Sequence, residues 1–312
     1  MRRCFCLAPA VLSLSAAAAA QPTANPATNA AERVVRGDGI VTVTVNGVPG
    51  RLRVDPAAPA LPIFTLPFAM GQAHLRPGPF AFAYLVGPQQ VEGRSAVGRI
   101  AVGEGARPRK RRIGWTARAW VASADGVIGP GGLPEPVVRF VLRPPIPGER
   151  TTSFPLEDEG GLFGGWGGTY ALITLAGEPL RVRFNPHEPR TLATAGAAVR
   201  IANAQDGIVS GEASLMHIAF GISRPVRTMR LARPLTVGPL TITEIGVRTG
   251  DFGNTSTIRE EGGDPDEIVV TGDRRRNSRW DRLALGADQL ARCSSIVFDK
   301  CRREVRLTCA PG

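Results

Sequence analysis

The sequence predicts an all-β protein of two similar lobes produced by an internal duplication. Three observations predict it. The 312 residues include 37 Gly and 27 Pro against only 6% aromatics, and such a density of chain breakers suits short strands joined by turns rather than long helices. Several short runs alternate apolar and polar side chains, the period of a half-buried strand. One segment beginning at Gly47 recurs with its spacing intact from Gly177, and such a repeat bears on the fold before any other signal. A length of 312 residues is enough for about two domains. The balance of 43% hydrophobic to 21% charged residues excludes a disordered or fibrous chain.

The N-terminus reads as a secretory signal over residues 1–20. Met1-Arg2-Arg3 supplies the positive start, residues 4–14 the apolar stretch, and residues 16–20 the small side chains of a cleavage site after Ala20. The expected location is therefore outside the cytoplasm, in a periplasm. No second apolar run approaches the ~18 residues of a membrane span, so no integral membrane segment is expected. Loss of Arg2 and Arg3 would take the formal charge from +11 to +9. The excess is almost all arginine, with Lys110 and Lys300 the only lysines. There is neither a basic arm nor a run of stacking aromatics, so nucleic acid is not an expected partner. Residues 21–37 read as a flexible lead-in, Pro/Ala/Thr/Asn-rich over 21–31.

Two lobes follow, over residues 38–150 and 151–312. The segment Gly47-Val48-Pro49-Gly50-Arg51-Leu52-Arg53-Val54-Asp55-Pro56-Ala57-Ala58-Pro59 aligns without a gap to Gly177-Glu178-Pro179-Leu180-Arg181-Val182-Arg183-Phe184-Asn185-Pro186-His187-Glu188-Pro189, at a constant offset of 130 residues from Gly47 to Gly177 and from Pro59 to Pro189. Each copy begins with an alternating strand, residues 40–45 or 170–175, followed by a tight turn at Asn46-Gly47 or Ala176-Gly177. A second strand runs into Asp55 or Asn185, and a proline-framed loop closes the unit. Further strands are expected at 95–102 and 235–247. Each half then ends in an apolar pair and glycine, Val127-Ile128-Gly129 with Leu133 and Ala284-Leu285-Gly286 with Leu290.

This order of hairpin, Asp-centred loop, strands, apolar-apolar-Gly, short helix and final hairpin resembles the aspartic peptidases, in the bacterial retropepsin-like form doubled into one chain. Ala124-Asp125-Gly126-Val127-Ile128-Gly129 is similar to the family's later Asp-Gly-apolar-apolar-Gly element. Leu285-Gly286-Ala287-Asp288-Gln289-Leu290 followed by Ile296-Val297-Phe298-Asp299 is similar to its closing helix and hairpin. The resemblance implies a two-lobed pepsin-like acid protease fold over most of residues 38–312, with Asp55 and Asn185 at the two catalytic positions. In the family each lobe offers Asp-Thr-Gly. Here Pro56 and Pro186 stand for Thr, Ala57 and His187 for Gly, and Asn185 for the second Asp.

Aspartic peptidase chemistry needs two carboxylates that share one proton, one acting as base toward water and the other as acid toward the carbonyl. An amide at position 185 cannot take the proton. The prolines remove both hydroxyl and N–H, and the side chains at 57 and 187 make positive φ costly. The expectation is a catalytically inactive relative that binds an extended peptide or an envelope partner, since the fold does not carry the activity. The competing reading is an active peptide hydrolase using Asp55 with an unusual partner such as His187 or Glu188. Residues 80–88 offer a flap or groove strand under which a peptide could lie, or aromatics that fill the first lobe's core. His74 and His217 stand alone, and no metal-ligand, nucleophile-elbow, phosphate-loop or dinucleotide motif occurs, so no cofactor and no metal are expected.

Cys293, Cys301 and Cys309 remain after the signal. A hairpin with strands at 294–298 and 304–307 sets Cys293 opposite Cys309 and leaves Cys301 at the tip, predicting a Cys293–Cys309 bridge. The second lobe is longer: Asp55 to Gly129 spans 74 residues and Asn185 to Gly286 spans 101, an excess of 27. An insertion at residues 253–279 accounts for it. Within it, Glu267-Ile268-Val269-Val270-Thr271-Gly272 is similar to the TonB-box segment of outer-membrane receptors, but here it is internal, and the polar flanks suggest an exposed loop.

Overall fold

In the computed structural model, residues 32–159, 167–262 and 280–311 are described. The expected signal, the lead-in up to residue 31 and the TonB-box-like segment lie outside them. The first half contributes β1 (Glu32–Arg36), β2 (Ile40–Val45), β3 (Val48–Val54), β4 (Ile63–Thr65), β5 (Ala81–Val86), β6 (Gln89–Val102), β7 (Arg109–Thr116), β8 (Gly126–Ile128) and β9 (Val137–Val141). The second contributes β10 (Arg150–Asp158), β11 (Thr169–Leu175), β12 (Glu178–Phe184), β13 (Leu192–Ala193), helix α1 (Ala195–Gln205), β14 (Gly207–Ala219), β15 (Ile222–Val237) and β16 (Leu240–Arg248). It continues through β17 (Arg259–Glu260), β18 (Arg282–Leu285), the short helix α2 (Ala287–Leu290), β19 (Cys293–Asp299) and β20 (Glu304–Cys309).

These strands form a seven-stranded sheet, β2-β3-β8-β4-β7-β6-β5, and a thirteen-stranded sheet, β1-β9-β19-β20-β10-β11-β12-β18-β13-β16-β15-β14-β17. The two halves pair their strands in the same order and sense. β3 is antiparallel to β2 and parallel to β8, as β12 is antiparallel to β11 and parallel to β18. β4 is antiparallel to β8 and parallel to β7, as β13 is antiparallel to β18 and parallel to β16. The first hairpin of each half turns through two residues of positive φ, Asn46 (51°) with Gly47 (89°) and Ala176 (49°) with Gly177 (83°). This is the turn whose twist matches the flanking strands.

Alternation along each strand decides which side chains reach the core. In β12, Leu180, Val182 and Phe184 are fully buried, while Arg181 and Arg183 take the opposite face. The main core is continuous across both halves. Phe298 of β19 packs edge-on against Phe140 of β9 (centroids 5.8 Å apart) and Phe184 of β12 (6.1 Å). β9 itself lies between β1 and β19, so strands from the beginning, middle and end of the chain share one ladder.

The predicted bridge is present. Cys293 and Cys309 face each other across the β19–β20 hairpin and are joined by a disulfide, while Cys301 sits exposed at the turn.

The structure corrects three expectations. The lead-in ends before residue 37, because Glu32–Arg36 form a strand along β9, held by ion pairs Arg33–Glu135 (2.6 Å) and Arg139–Glu32 (2.7 Å). Residues 235–247 are not one strand: Gly238 adopts φ 57° before Pro239, and the chain reverses between β15 and β16. Helix α1 has no counterpart in the expected strand series. Of the inserted stretch, the described part adds a short 3-10 turn (Thr255–Thr257) and the edge strand β17, parallel to β14.

Candidate functional site

The sequence-matched residues Asp55 and Asn185 occupy matched places. The Asp55 N–H donates to the Ile128 carbonyl (3.0 Å) where β3 runs beside β8, and the Asn185 N–H donates to the Leu285 carbonyl (2.8 Å) where β12 runs beside β18. The carbonyl of each accepts an N–H three residues on, Ala58 or Glu188 (both 3.1 Å). The glycine after each apolar pair is needed for close approach, not for unusual dihedrals. Gly129 has φ −84° and Gly286 has φ −91°, but a Cβ on Gly129 would collide with the Ala58 carbonyl oxygen, and one on Gly286 with the Arg190 carbonyl. In the second half, buried Thr191 ties the loop to α2 by donating its hydroxyl to Asp288 (2.7 Å) and accepting the Gly286 N–H (3.0 Å).

The two loops then diverge. Asp55 is 3% exposed, the residues around it are buried, and its Oδ1 accepts the N–H of Ala57 (2.7 Å). Asn185 is half-buried and lines a cavity between the lobes, together with Glu188 and, from the first loop, Ala57. Glu188 is buried, and desolvation pushes its carboxyl up to about 7 against the opposing pull of Arg248. His187 is an exposed residue whose imidazole is nonetheless crowded. Desolvation lowers its pKa, the charges of Asp55 and Asp38 push it up, and Arg53 pushes it down. His187 thus feels Asp55, but it lines a different cavity, with Val54, Pro186 and Leu290. Of the residues that sequence reasoning gathered around the dyad positions, the structure places Asn185 and Glu188 in the interlobe cavity and His187 outside it.

The cavity, about 90 Å³, is roofed by two hairpins. The β5–β6 hairpin turns at Gly87 (φ 59°), and the β14–β15 hairpin at Phe220 (φ 55°) and Gly221 (φ 67°). Tyr84, Trp120 and Phe220 meet there edge to face, with centroids 4.9 to 5.3 Å apart. The residues expected to serve as a flap or as core of the first lobe therefore belong to a smaller apolar cluster between the lobes, where Val86 and Val91 pack with Ala219, Phe220 and Ile222.

The floor was not foreseen as a site. Arg183, Arg248 and Arg282 line it from β12, β16 and β18. Arg183 donates to the hydroxyls of Tyr84 (3.0 Å) and Tyr170 (2.6 Å), and Arg282 also donates to Tyr170 (2.8 Å). Tyr170 in turn donates to Glu159 (3.1 Å). The burial that would raise the Glu159 pKa is outweighed by Arg282 and Arg183, which hold it below the ordinary carboxylate value. Arg248 is paired with Asp251 (2.9 Å), which Arg224 also approaches (3.5 Å). The available signal was the alternation Arg181-Val182-Arg183 beside a tyrosine that is itself buried: Tyr170 has no exposure, and a buried hydroxyl needs partners.

His217 accepts the Gly221 N–H at Nε2 (3.1 Å), and neither it nor His74 lines the interlobe cavity. Among the described residues no cluster of three His, Cys, Asp or Glu is placed to hold a metal, and no helix is long and apolar enough to cross a membrane.

No family model matches the chain, and no curated protein matches it. Among solved structures, an aspartic proteinase from Irpex lacteus aligns with 87% of this chain and 94% of its own, at 11% identity and a TM-score of 0.40.

Proposed function

We propose that this chain is an aspartic peptidase-like protein, doubled from a single-lobe ancestor, that binds polypeptide between its lobes without cleaving it. The duplication is supported by the shared strand pairings of the two halves and by the constant offset of their first segments. One observation carries the loss of catalysis: Asn185 holds the backbone position that Asp55 holds in the other half, and an amide neither accepts the proton of an attacking water nor cycles between acid and base. Asp55 also spends one oxygen on its own loop, through Ala57. Export to an oxidising compartment such as the periplasm accords with the signal-like residues 1–20 and with the Cys293–Cys309 disulfide.

The test is cleavage. Purified mature protein is incubated with a diverse peptide library from pH 3 to 8 beside an Asp55→Ala variant, and products are read by mass spectrometry. The expected result is identical product profiles, with no cleavage by either protein. Cleavage by the parent that disappears in Asp55→Ala would overturn the reading and establish a hydrolase with an unusual partner group.

A further inference from the structure

We propose that the interlobe cavity is a carboxylate site that takes the C-terminal end of a peptide whose last side chain is apolar. The proposal builds on polypeptide binding between the lobes, and it specifies what is recognised and in which direction the chain lies.

The charge count sets the sign of the ligand. Four guanidinium groups meet at the cavity and just behind it, Arg183, Arg282, Arg248 and Arg224, against two carboxylates committed to them, Glu159 and Asp251. The excess is two positive charges, reduced to one where Glu188 is ionised. Arginine cannot shed its charge, and its planar fork matches a carboxylate. Arg183 is not satisfied by its neighbours, because its Nε is buried and has no hydrogen-bond partner among the described residues. An unpartnered buried donor is costly, and the same guanidinium lines the cavity. A single negative charge neutralises this surplus where Glu188 is ionised and leaves one positive charge where it is protonated. A phosphate dianion would exceed the surplus where Glu188 is ionised and would also meet the carboxylates of Glu188 and Asp251 in the same wall.

The rest of the lining sets the ligand's other half. Tyr84, Val86, Trp120, Ile218, Ala219 and Phe252 present an apolar wall beside the arginines. The ligand therefore joins an anion to an apolar group a few ångströms away, as the last residue of a peptide does.

The roof decides between a chain end and a chain passing through. The two hairpins touch above the cavity through Tyr84 and Phe220, Trp120 of the β7–β8 loop packs against both, and Arg183 reaches up to the Tyr84 hydroxyl. An extended strand crossing the cleft would have to break this contact along its length. A chain end needs only an opening at one side. A cavity of about 90 Å³ suits such an end and not a folded partner.

The experiment uses the full mature chain and the emission of its tryptophans, two of which, Trp120 and Trp280, line the cavity. An N-acetylated pentapeptide ending in phenylalanine is titrated as the free acid and as the C-terminal amide, alongside 3-phenylpropionate. The acid is expected to bind at least about tenfold more tightly than the amide, the difference a charge-assisted hydrogen bond makes, and more tightly than 3-phenylpropionate. Arg282→Gln should reduce the acid-to-amide affinity ratio to near one, with a circular dichroism spectrum like the parent's. Equal binding of acid and amide would overturn the carboxylate site, as would no binding of either at millimolar concentration. Binding of 3-phenylpropionate as tight as that of the peptide acid would overturn the peptide assignment in favour of a small carboxylic acid. If the parent cleaves the peptides, the non-catalytic reading fails separately, and the acid-to-amide ratio is read in Asp55→Ala.

Discussion

Replacing Glu188 with Gln should stabilise the protein at alkaline pH and leave it unchanged in acid. Glu188 is 8% exposed at the floor of the interlobe cavity, and burial there raises its pKa from 4.5 to about 7, with Arg248 opposing. The folded state therefore holds this proton to higher pH than the unfolded chain does. Below about pH 4.5 both states are protonated and the group is neutral in its effect. As pH rises from 4.5 through 7 the unfolded chain ionises freely while the folded state resists, so stability falls by the difference. A shift of about 2.5 pKa units corresponds to roughly 3.4 kcal/mol at 1.36 kcal/mol per unit. The carboxyl borders a cavity that admits water, so the effective figure is nearer ~2 kcal/mol. Glutamine keeps the shape and cannot ionise. Urea unfolding of parent and Glu188→Gln at pH 4.5 and pH 8 isolates this group, because every other titration is common to both proteins. The expected gain is about zero at pH 4.5 and about 2 kcal/mol at pH 8, seen as a higher midpoint at unchanged slope. Equal midpoints at both pH values would mean that Glu188 ionises as an ordinary surface carboxyl and that the cavity floor is open to solvent.

Two further predictions concern what holds the site in place. Gly129→Ala should cost ~1–3 kcal/mol by forcing the Asp55 loop away from β8, whereas Gly71→Ala, with nothing within 4 Å of the added carbon, should not lower stability measurably; thermal melts compare the two, and equal melting temperatures would refute the close-packing account. Cys293→Ser combined with Cys309→Ser should lower stability by about 3 kcal/mol, the chain-entropy value for a loop of this size. Reducing agent should lower the parent's unfolding midpoint by a similar amount and leave the double variant unchanged.

Much of the fold was legible because its signals are local. Asn46-Gly47 and Ala176-Gly177 announce turns, the alternation of Leu180, Val182 and Phe184 announces a buried face, and the spacing of Cys293 and Cys309 follows from hairpin register. The two glycines after apolar pairs were visible as pattern, though their reason, the approach of Ala58 and Arg190, is tertiary. What escaped is what other parts of the chain supply. β1 reads as polar linker because its pairing partner, β9, lies a hundred residues away. Helix α1 buries mostly small side chains, Ala195, Ala197, Ala198 and Ala202 with Ile201, so its apolar stripe is faint, although the alanine-rich run was itself a helix signal. The positions of Asp55 and Asn185 were readable from the repeat. The arginine floor was not, since Arg183, Arg248 and Arg282 come together only when β12, β16 and β18 are in place.

The position of β9 has a consequence for how the chain reaches this state. One edge of β9 is closed by β1, but the other waits for β19, which begins at Cys293, long after β9 ends at Val141. Loop closure over such separations is slow, and the unpaired edge is a template for association with other chains in the meantime. The β19–β20 hairpin, by contrast, is wholly local and can be stapled early by its own disulfide. Folding then becomes the docking of a preformed ribbon into a gap between β9 and β10, and the last twenty or so residues act as the key that locks both halves together.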